Sequence, residues 1–334
     1  MAFSRPTFTL GWWLNAIAFL AALGATTAWI ATALSFHVTG LMLMVAYVAL
    51  GLGVIGACAA LFMSKRRGWI ALLLVLGLGT GWYQTLKPQE DRDWAFDVAH
   101  GVTARVEGDT VQLDKVRNFD WITRDTANVS WEARSYDLEK LDSVDLVTSV
   151  WDSDDIAHVI VTFGFSDGQR VAFSVETRKE AHESFNVVGG FFRQFELALI
   201  AATEEDILKL RTNHRKEDVR LFPIALSAEQ RRTLLLSYVE LATKLENQPA
   251  FYNTLTHTCT TTLYPLANTV HEDVGLDWRL MASGHLPAYI DELGGFEGDM
   301  TIEERMARAA ITEAGQTAGR HDYSDVIRLA YSVE

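Results

Sequence analysis

A β-hairpin is the clearest structural signal in this chain, at residues 157–176, which read AHVIVTFGFSDGQRVAFSVE. The dipeptide DG at 167–168 stands between two apolar runs, as in the turn that joins two antiparallel strands. If these two residues form the turn, His158 lies opposite Thr177 and diagonal to Glu176. Because such cross-strand neighbours are about 4.5–8 Å apart, the hairpin predicts that His158 contacts Glu176.

Further strand-like runs fill the first half of the region after residue 87, and helix-like runs fill its second half. Ser227 and Gln230 have the spacing of a capping box, which predicts that a long helix begins there. The order of strands first and helices later predicts an α+β domain. The runs are strands near 103–106, 110–113, 143–151, 195–202 and 219–226, and helices near 204–215, 227–247, 287–293 and 302–311.

The first 86 residues are apolar and contain no Asp or Glu. Three runs within them, Phe8–Leu34, Leu41–Met63 and Trp69–Leu86, each have close to the roughly 20 residues that cross a bilayer. The first run is long for a signal peptide and further spans follow it, so we expect it to be retained. The sequence therefore predicts a membrane region at 1–87 with three transmembrane helices.

Basic residues predict the orientation of this region, because Lys and Arg are enriched on the cytoplasmic side. Arg5 and Lys65–Arg67 are basic, whereas the loop Ser35–Gly40 has no Lys or Arg. We expect a cytoplasmic N-terminus, with everything after Lys87 outside the cytoplasm. The three runs contain no charged residue, which argues against an ion pathway. Two roles stay open for the helices: an anchor, or a lateral groove that admits a lipid chain.

Acidic residues dominate the region outside the membrane. The whole chain has 29 Lys and Arg against 43 Asp and Glu, and four of the basic residues fall in the first 86 positions, which leaves a net charge of about −18 beyond them. Such a surface repels nucleic acid and offers no polybasic lipid patch. The length suits one large domain or a domain with an embellishment, and we place a linker and leading strands at 88–115 and the domain at 116–334. The oligomeric state stays open.

One of the two cysteines lies in a setting that favours chemistry. Cys58 sits among apolar residues of the second run, whereas Cys259 lies in NTLTHTCTTT at 253–262. A lone thiol in an oxidising compartment is usually buried or used as a nucleophile. A helix-compatible pattern begins just after Cys259, and a helix N-terminus stabilises a thiolate. The chain lacks the common metal, dinucleotide and phosphate-loop motifs, so no cofactor is expected.

A thiol nucleophile needs a base, and the base needs an orienting group. The hairpin supplies both if His158 is the base and Glu176 orients it. Two alternatives stay open: His257 could be the base, or His158 could be a hydrogen-bonded core histidine while Glu176 pairs with a neighbouring cation. Ser166 fits G-x-S-x-G, but that elbow requires a helix where this chain continues as a strand, so Ser166 is not expected to be a nucleophile.

Several motifs occur in an order that resembles the Lnb N-terminal periplasmic domain family. They cover Val116–Arg328 and are V-R-N-F at 116–119, W-E-x-R-x-Y-D-L at 131–138, S-V-E-T-R-K-E at 174–180, L-R-T-N at 210–213, Y-N-x-L-T-x-x-C-T-T at 252–261 and Y-S-x-x-I-R at 323–328. The family is similar to the permuted NlpC/P60, papain-like group, in which a strand histidine precedes the helix cysteine. The order His158, Glu176, Cys259 fits that permutation.

The resemblance also implies an activity, because the namesake branch is a lipoprotein N-acyltransferase with a cysteine–histidine pair. It implies a membrane-anchored cysteine acyltransferase that works through an acyl-thioester, with a phospholipid as donor and a lipoprotein or peptide amine as acceptor. A peptidoglycan or peptide amidase of the same chemistry is the alternative, and a non-catalytic envelope scaffold is the rival from another class. Thr258 stands where the family often has asparagine.

Overall fold

The computed structural model describes residues 9–271 and 274–329, so Arg5 lies outside the described residues. The chain divides into two compact units. One contains the chain up to Pro88 together with Val188–Gln194, and the other contains Gln89–Val187 and the chain from Phe195 onward.

Three long helices build the first unit: α1 (Leu10–His37), α2 (Gly40–Met63) and α3 (Lys65–Thr85). Phe19, Leu23, Ala57, Leu61 and Leu72 form a buried cluster between them. Two of the described helices, α1 and α2, are long and apolar enough to cross a membrane. The third, α3, begins with three consecutive cations and is not among them, so the third predicted span stays a prediction.

The short segment Val188–Gln194 belongs to this helical unit although it is distant in sequence. The ring of Phe192 lies 6.0 Å from that of Phe36 at the end of α1. The Nε2–H of His37 donates a hydrogen bond of 2.6 Å to the Phe192 carbonyl. Arg193 donates to the Tyr83 carbonyl at 3.0 Å, and its guanidinium lies over the Tyr83 ring. These contacts hold the segment against the ends of α1 and α3.

The second unit is α+β, as the sequence predicted, with most strands in the first half and most helices in the second. Its strands are β1 (Thr103–Glu107), β2 (Thr110–Arg117), β3 (Asp120–Trp121), β4 (Ala127–Asn128), β5 (Trp131–Asp137), β6 (Leu141–Val150), β7 (Ala157–Phe165), β8 (Arg170–Arg178), β9 (Glu196–Ala202) and β10 (Asp218–Pro223). The short helix α4 (Val187–Phe191) lies in the segment Val188–Gln194 except for its first residue. The helices of the second unit are α5 (Glu204–Lys209), α6 (Ala228–Asn247), α7 (Cys259–Ala267), α8 (Leu286–Glu292), α9 (Ile302–Arg308), α10 (Thr312–Thr317) and α11 (Tyr323–Val326).

An eight-stranded mixed sheet forms the centre of this unit, with the order β1-β2-β9-β8-β7-β6-β10 and with β5 paired to β2. The pair β2–β9 is parallel and the other pairs are antiparallel. Side chains alternate between the two faces of a strand. In β7, Val159 and Phe163 join the core cluster that includes Leu234 of α6 and Leu263 of α7. Ile160 joins a cluster on the other face. At β7 the sheet is therefore buried on both faces.

The predicted hairpin is β7–β8, but its loop is one residue longer than expected. The N–H of Phe165 donates to the carbonyl of Gln169 at 3.0 Å, and Gly168 has a φ of +86°. Ile160 is aligned with Ser174, so the same register brings Glu176, and not Thr177, opposite His158. The expected two-residue turn is therefore wrong. Since a one-residue shift moves a side chain to the other face, the longer loop places His158 and Glu176 on the same face.

Candidate active site

Cys259 is the first residue of α7, as the sequence predicted. Thr258 caps this helix: its hydroxyl accepts from the N–H of Thr261 at 3.2 Å, and the Thr261 hydroxyl accepts from the N–H of Thr258 at 2.8 Å. Asparagine and threonine are both good N-cap residues, so Thr258 keeps the helix start intact. The positive end of the helix dipole therefore lies beside the sulfur and favours its thiolate form.

His158 lies near the start of β7, where the pairing between β7 and β8 has ended. The last pair is Ile160 with Ser174, although both strands continue beyond it. The helix α7 packs against these two strands. Cys259 is close enough to the His158 ring for each group to shift the pKa of the other, and the backbone N–H of Val159 also favours the Cys259 thiolate. A strand histidine and a helix cysteine thus meet where the strand pairing stops.

A carboxylate and a hydroxyl hold the other side of the imidazole. Nε2 of His158 lies 3.1 Å from Oε1 of Glu176 and 2.6 Å from Oγ of Ser174. The Ser174 hydroxyl in turn donates to Oε1 of Glu176 at 2.7 Å. With Nε2 engaged by these two groups, Nδ1 is the ring nitrogen left for Cys259. The structure therefore brings together the three side chains that the sequence singled out.

Arg211 also binds the Glu176 carboxylate. Its Nη2 lies 3.3 Å from Oε1 of Glu176, and its Nη1 lies 3.2 Å from Oε2 of Glu217. The Arg211 side chain is only 4% exposed, so this charge is shielded from water. Arg178, one possible partner of Glu176 in the non-catalytic interpretation, instead binds Glu90 and two backbone carbonyls. Glu176 is thus held between the histidine and the buried arginine.

These contacts set the charges of the site. Burial alone would lower the pKa of His158, but the negative charge of Glu176 and the polar contacts with Cys259 and Glu176 together outweigh burial and raise the pKa to about 9. Burial alone would raise the pKa of Glu176, yet His158 and Arg211 hold it well below its usual range. Burial would also raise the pKa of Cys259, but the hydrogen bond and charge of His158 lower it. At neutral pH the imidazolium form of His158 is favoured, and it stabilises a thiolate.

The ring of His257, the alternative base, is not in the position that the His158 ring occupies beside Cys259. Its side chain is exposed and its Nδ1 is 2.9 Å from the hydroxyl of Thr256. The backbone N–H of His257 donates to the carbonyl of Asn253 at 3.1 Å. The ring beside the sulfur is that of His158.

Three side chains of this site were not predicted from the sequence. Ser174 precedes Glu176 by two residues, so strand alternation alone could have placed it on the same face. Arg211 belongs to the L-R-T-N motif but has no distinguishing spacing. Tyr252 lies close enough to Cys259 for the thiolate charge to act on it: burial mainly, and then that charge, raise the pKa of Tyr252 to about 12. Among residues 9–271 and 274–329, no group of three or more His, Cys, Asp or Glu side chains is placed to hold a metal ion.

This fold and geometry define an α+β domain that presents a cysteine at a helix start beside a histidine and a glutamate on two strands. Residues 127–284, which include all three, match the family model of the Lnb N-terminal periplasmic domain. The chain therefore carries this domain, and the family predicted from the motifs is confirmed. No curated protein and no solved structure matches the chain. The domain and the two apolar helices fit a membrane-anchored periplasmic protein of the cell envelope.

Proposed function

We propose that this domain is a cysteine acyltransferase that forms an acyl-thioester on Cys259. The observation that carries the proposal is the position of the His158 ring between Cys259, whose pKa it lowers, and Glu176, whose Oε1 lies 3.1 Å from Nε2 of the ring. A thiolate paired with an imidazolium is an activated nucleophile with its own proton donor. The strand histidine that precedes the helix cysteine also supports a permuted papain-like fold for the domain.

In the first half-reaction, the Cys259 thiolate attacks the carbonyl carbon of a phospholipid ester. A carbon–sulfur bond forms and the carbonyl oxygen becomes an oxyanion, which N–H groups at the start of α7 would stabilise. The bond to the glycerol oxygen then breaks, and that oxygen takes the proton from Nδ1 of His158. The products are a lysophospholipid and the acyl-enzyme, and His158 is left neutral.

In the second half-reaction, an amine attacks the thioester carbon. Neutral His158 accepts the proton that the amine loses, the amide bond forms and the thiolate leaves, so the ion pair is restored. Glu176 and Ser174 keep Nε2 engaged throughout, which holds Nδ1 towards the sulfur. The amine that fits this chemistry is the free N-terminus of a lipoprotein or lipopeptide. A water molecule in place of the amine would give hydrolysis.

The membrane region supports a lipid substrate. Three spans with Lys65–Arg67 in the cytoplasm would place the domain at the periplasmic face of a bacterial inner membrane. Phospholipid esters are abundant at that surface. A peptidoglycan substrate lies farther from the bilayer and gives no reason for more than one anchoring helix.

The test is to supply the full-length protein in detergent–lipid micelles with an acyl-labelled phospholipid and a lipopeptide that bears a free N-terminus. We expect labelled amide in the wild type and none in Cys259→Ala. Labelled free fatty acid alone would indicate a lipid hydrolase. Cleaved muropeptides with no lipid consumed would favour the amidase alternative, and no product with any of these substrates would favour a scaffold.

A further inference from the structure

An apolar cavity of about 190 Å³ lies between the central sheet and the helices α6, α7 and α8. Strand residues such as Val159 and Val161 form one wall, and Leu234, Leu263 and Leu286 of the helices form the other.

The cavity wall includes residues next to the proposed nucleophile. Val159, whose backbone N–H helps to lower the pKa of Cys259, is in the wall. Thr260 and Leu263, one and four positions after Cys259 in α7, are also in the wall. Positions four apart share one face of a helix, so Leu263 extends the face that carries Cys259. Cys259 itself packs against the hydrophobic cluster to which Val159 and Leu263 belong.

Several polar side chains in the wall are already satisfied by the protein. The Gln230 amide donates to the Val270 carbonyl at 2.8 Å, and the hydroxyl of Tyr264 donates to the Val274 carbonyl at 2.9 Å. The hydroxyl of Tyr289 likewise donates to a backbone carbonyl at 2.9 Å. These three groups are not left to bind a polar ligand. Nδ1 of His271 is a buried polar atom of a wall residue without a hydrogen-bond partner, but most of the wall is aliphatic, so the cavity as a whole favours a hydrocarbon.

We propose that this cavity receives the acyl chain of the substrate, so that the thioester on Cys259 holds its chain against Val159 and Leu263. This inference rests on the proposed acyl-thioester function and adds a preference for chain length. An apolar cavity of about 150 Å³ holds benzene, so about 190 Å³ would take roughly seven or eight carbon atoms. Acyl groups should therefore react faster as they lengthen towards eight carbons, and longer chains should extend out of the cavity.

The experiment uses the full-length protein and nitrophenyl esters from acetyl to octanoyl, with nitrophenolate release and intact mass as readouts. Each added methylene should raise the acylation rate roughly threefold to fourfold, the amount expected for burial of that group. Ala225→Leu and Ala267→Leu place extra bulk in the wall and should slow octanoyl transfer at least tenfold with acetyl transfer unchanged. Ala228→Leu, on an exposed position outside the wall, is the matched control and should change neither.

Two results would overturn the proposal in different ways. Equal rates for acetyl and octanoyl esters, unchanged by both wall variants, would show that Cys259 accepts acyl groups without using the cavity, and the proposed function would stand. No acyl adduct on Cys259 with any ester would remove the proposed function and the cavity's role together. Either wall variant is sufficient for the test if the other does not fold.

Discussion

Glu176 places its Oε1 3.1 Å from Nε2 of His158, at the end of the hairpin where the two strands are no longer paired. This contact has two effects. It fixes which nitrogen of the ring is free for the sulfur of Cys259, and it supplies the negative charge that favours the imidazolium. The three-residue loop at the far end of the hairpin sets the register that makes the contact.

The Cys259 thiol should be reactive below the pH at which free thiols react. Because His158 lowers the pKa of Cys259, half-maximal alkylation should fall below the usual value of about 8.5. In His158→Ala, burial is opposed only by the smaller effects of the Val159 N–H and the Thr260 hydroxyl, and the midpoint should move above that value. Alkylation rates measured from pH 5 to about pH 10 test both statements. A thiol that reacts only after denaturation would demote Cys259 to a packing residue.

Single replacements of His158 and His257 should show which of the two histidines is the base. His158→Ala should lower the rate of acyl transfer by about 10²–10⁴-fold, the usual contribution of a general acid–base group. His257→Ala is the matched control and should leave the rate nearly unchanged, because that ring is exposed. Circular dichroism of both variants checks the fold. Full activity of His158→Ala together with an inactive His257→Ala would mean that the base is misassigned.

Glu176→Gln should cost less activity than His158→Ala and should change the pH profile. The amide cannot supply the charge that raises the pKa of His158 to about 9, so that pKa should fall. The wild-type rate should rise as Cys259 ionises and fall as His158 loses its proton near pH 9, and the fall should come at lower pH in Glu176→Gln. Rates across pH and imidazole titration by NMR measure the shift. An unchanged alkaline limb would contradict the orienting role.

Much of this site was predictable because it depends on local sequence rules. Strand alternation, the turn dipeptide and the helix-start pattern placed His158, Glu176 and Cys259 on the correct elements. The register was wrong by one residue, since a D-G dipeptide fits loops of two or three residues and packing selects between them. Arg211 could not be found, because its contact with Glu176 joins residues 35 positions apart.

Strands with a weak sequence pattern were also not predicted correctly. The strand β5 (Trp131–Asp137) carries three charged residues and lacks a clean apolar alternation, so its pairing with β2 decides its structure. Val219–Leu226 was expected to be one strand, but β10 ends at Pro223, which has no N–H to continue the ladder. The strong signals, such as the capping box of Ser227 and Gln230, were confirmed.

The membrane topology is tested by reporter fusions. With three spans, a periplasm-dependent reporter fused after Lys87 should be active, and a cytoplasm-dependent reporter inserted at Lys65–Arg67 should be active as well. The exchanged reporters at the same two sites are the controls and should be inactive. An even number of spans would reverse the result at Lys87 and would remove the argument that Cys259 lies in an oxidising compartment.

The most direct test of the account is intact mass spectrometry of the full-length protein after incubation with a phospholipid of one defined acyl composition and no amine acceptor. We expect a gain equal to one acyl group in place of one hydrogen, located on Cys259, lost on addition of a free amine and absent in Cys259→Ala. Unmodified protein beside intact phospholipid, or an adduct that persists in Cys259→Ala, would contradict an acyl-thioester at this cysteine.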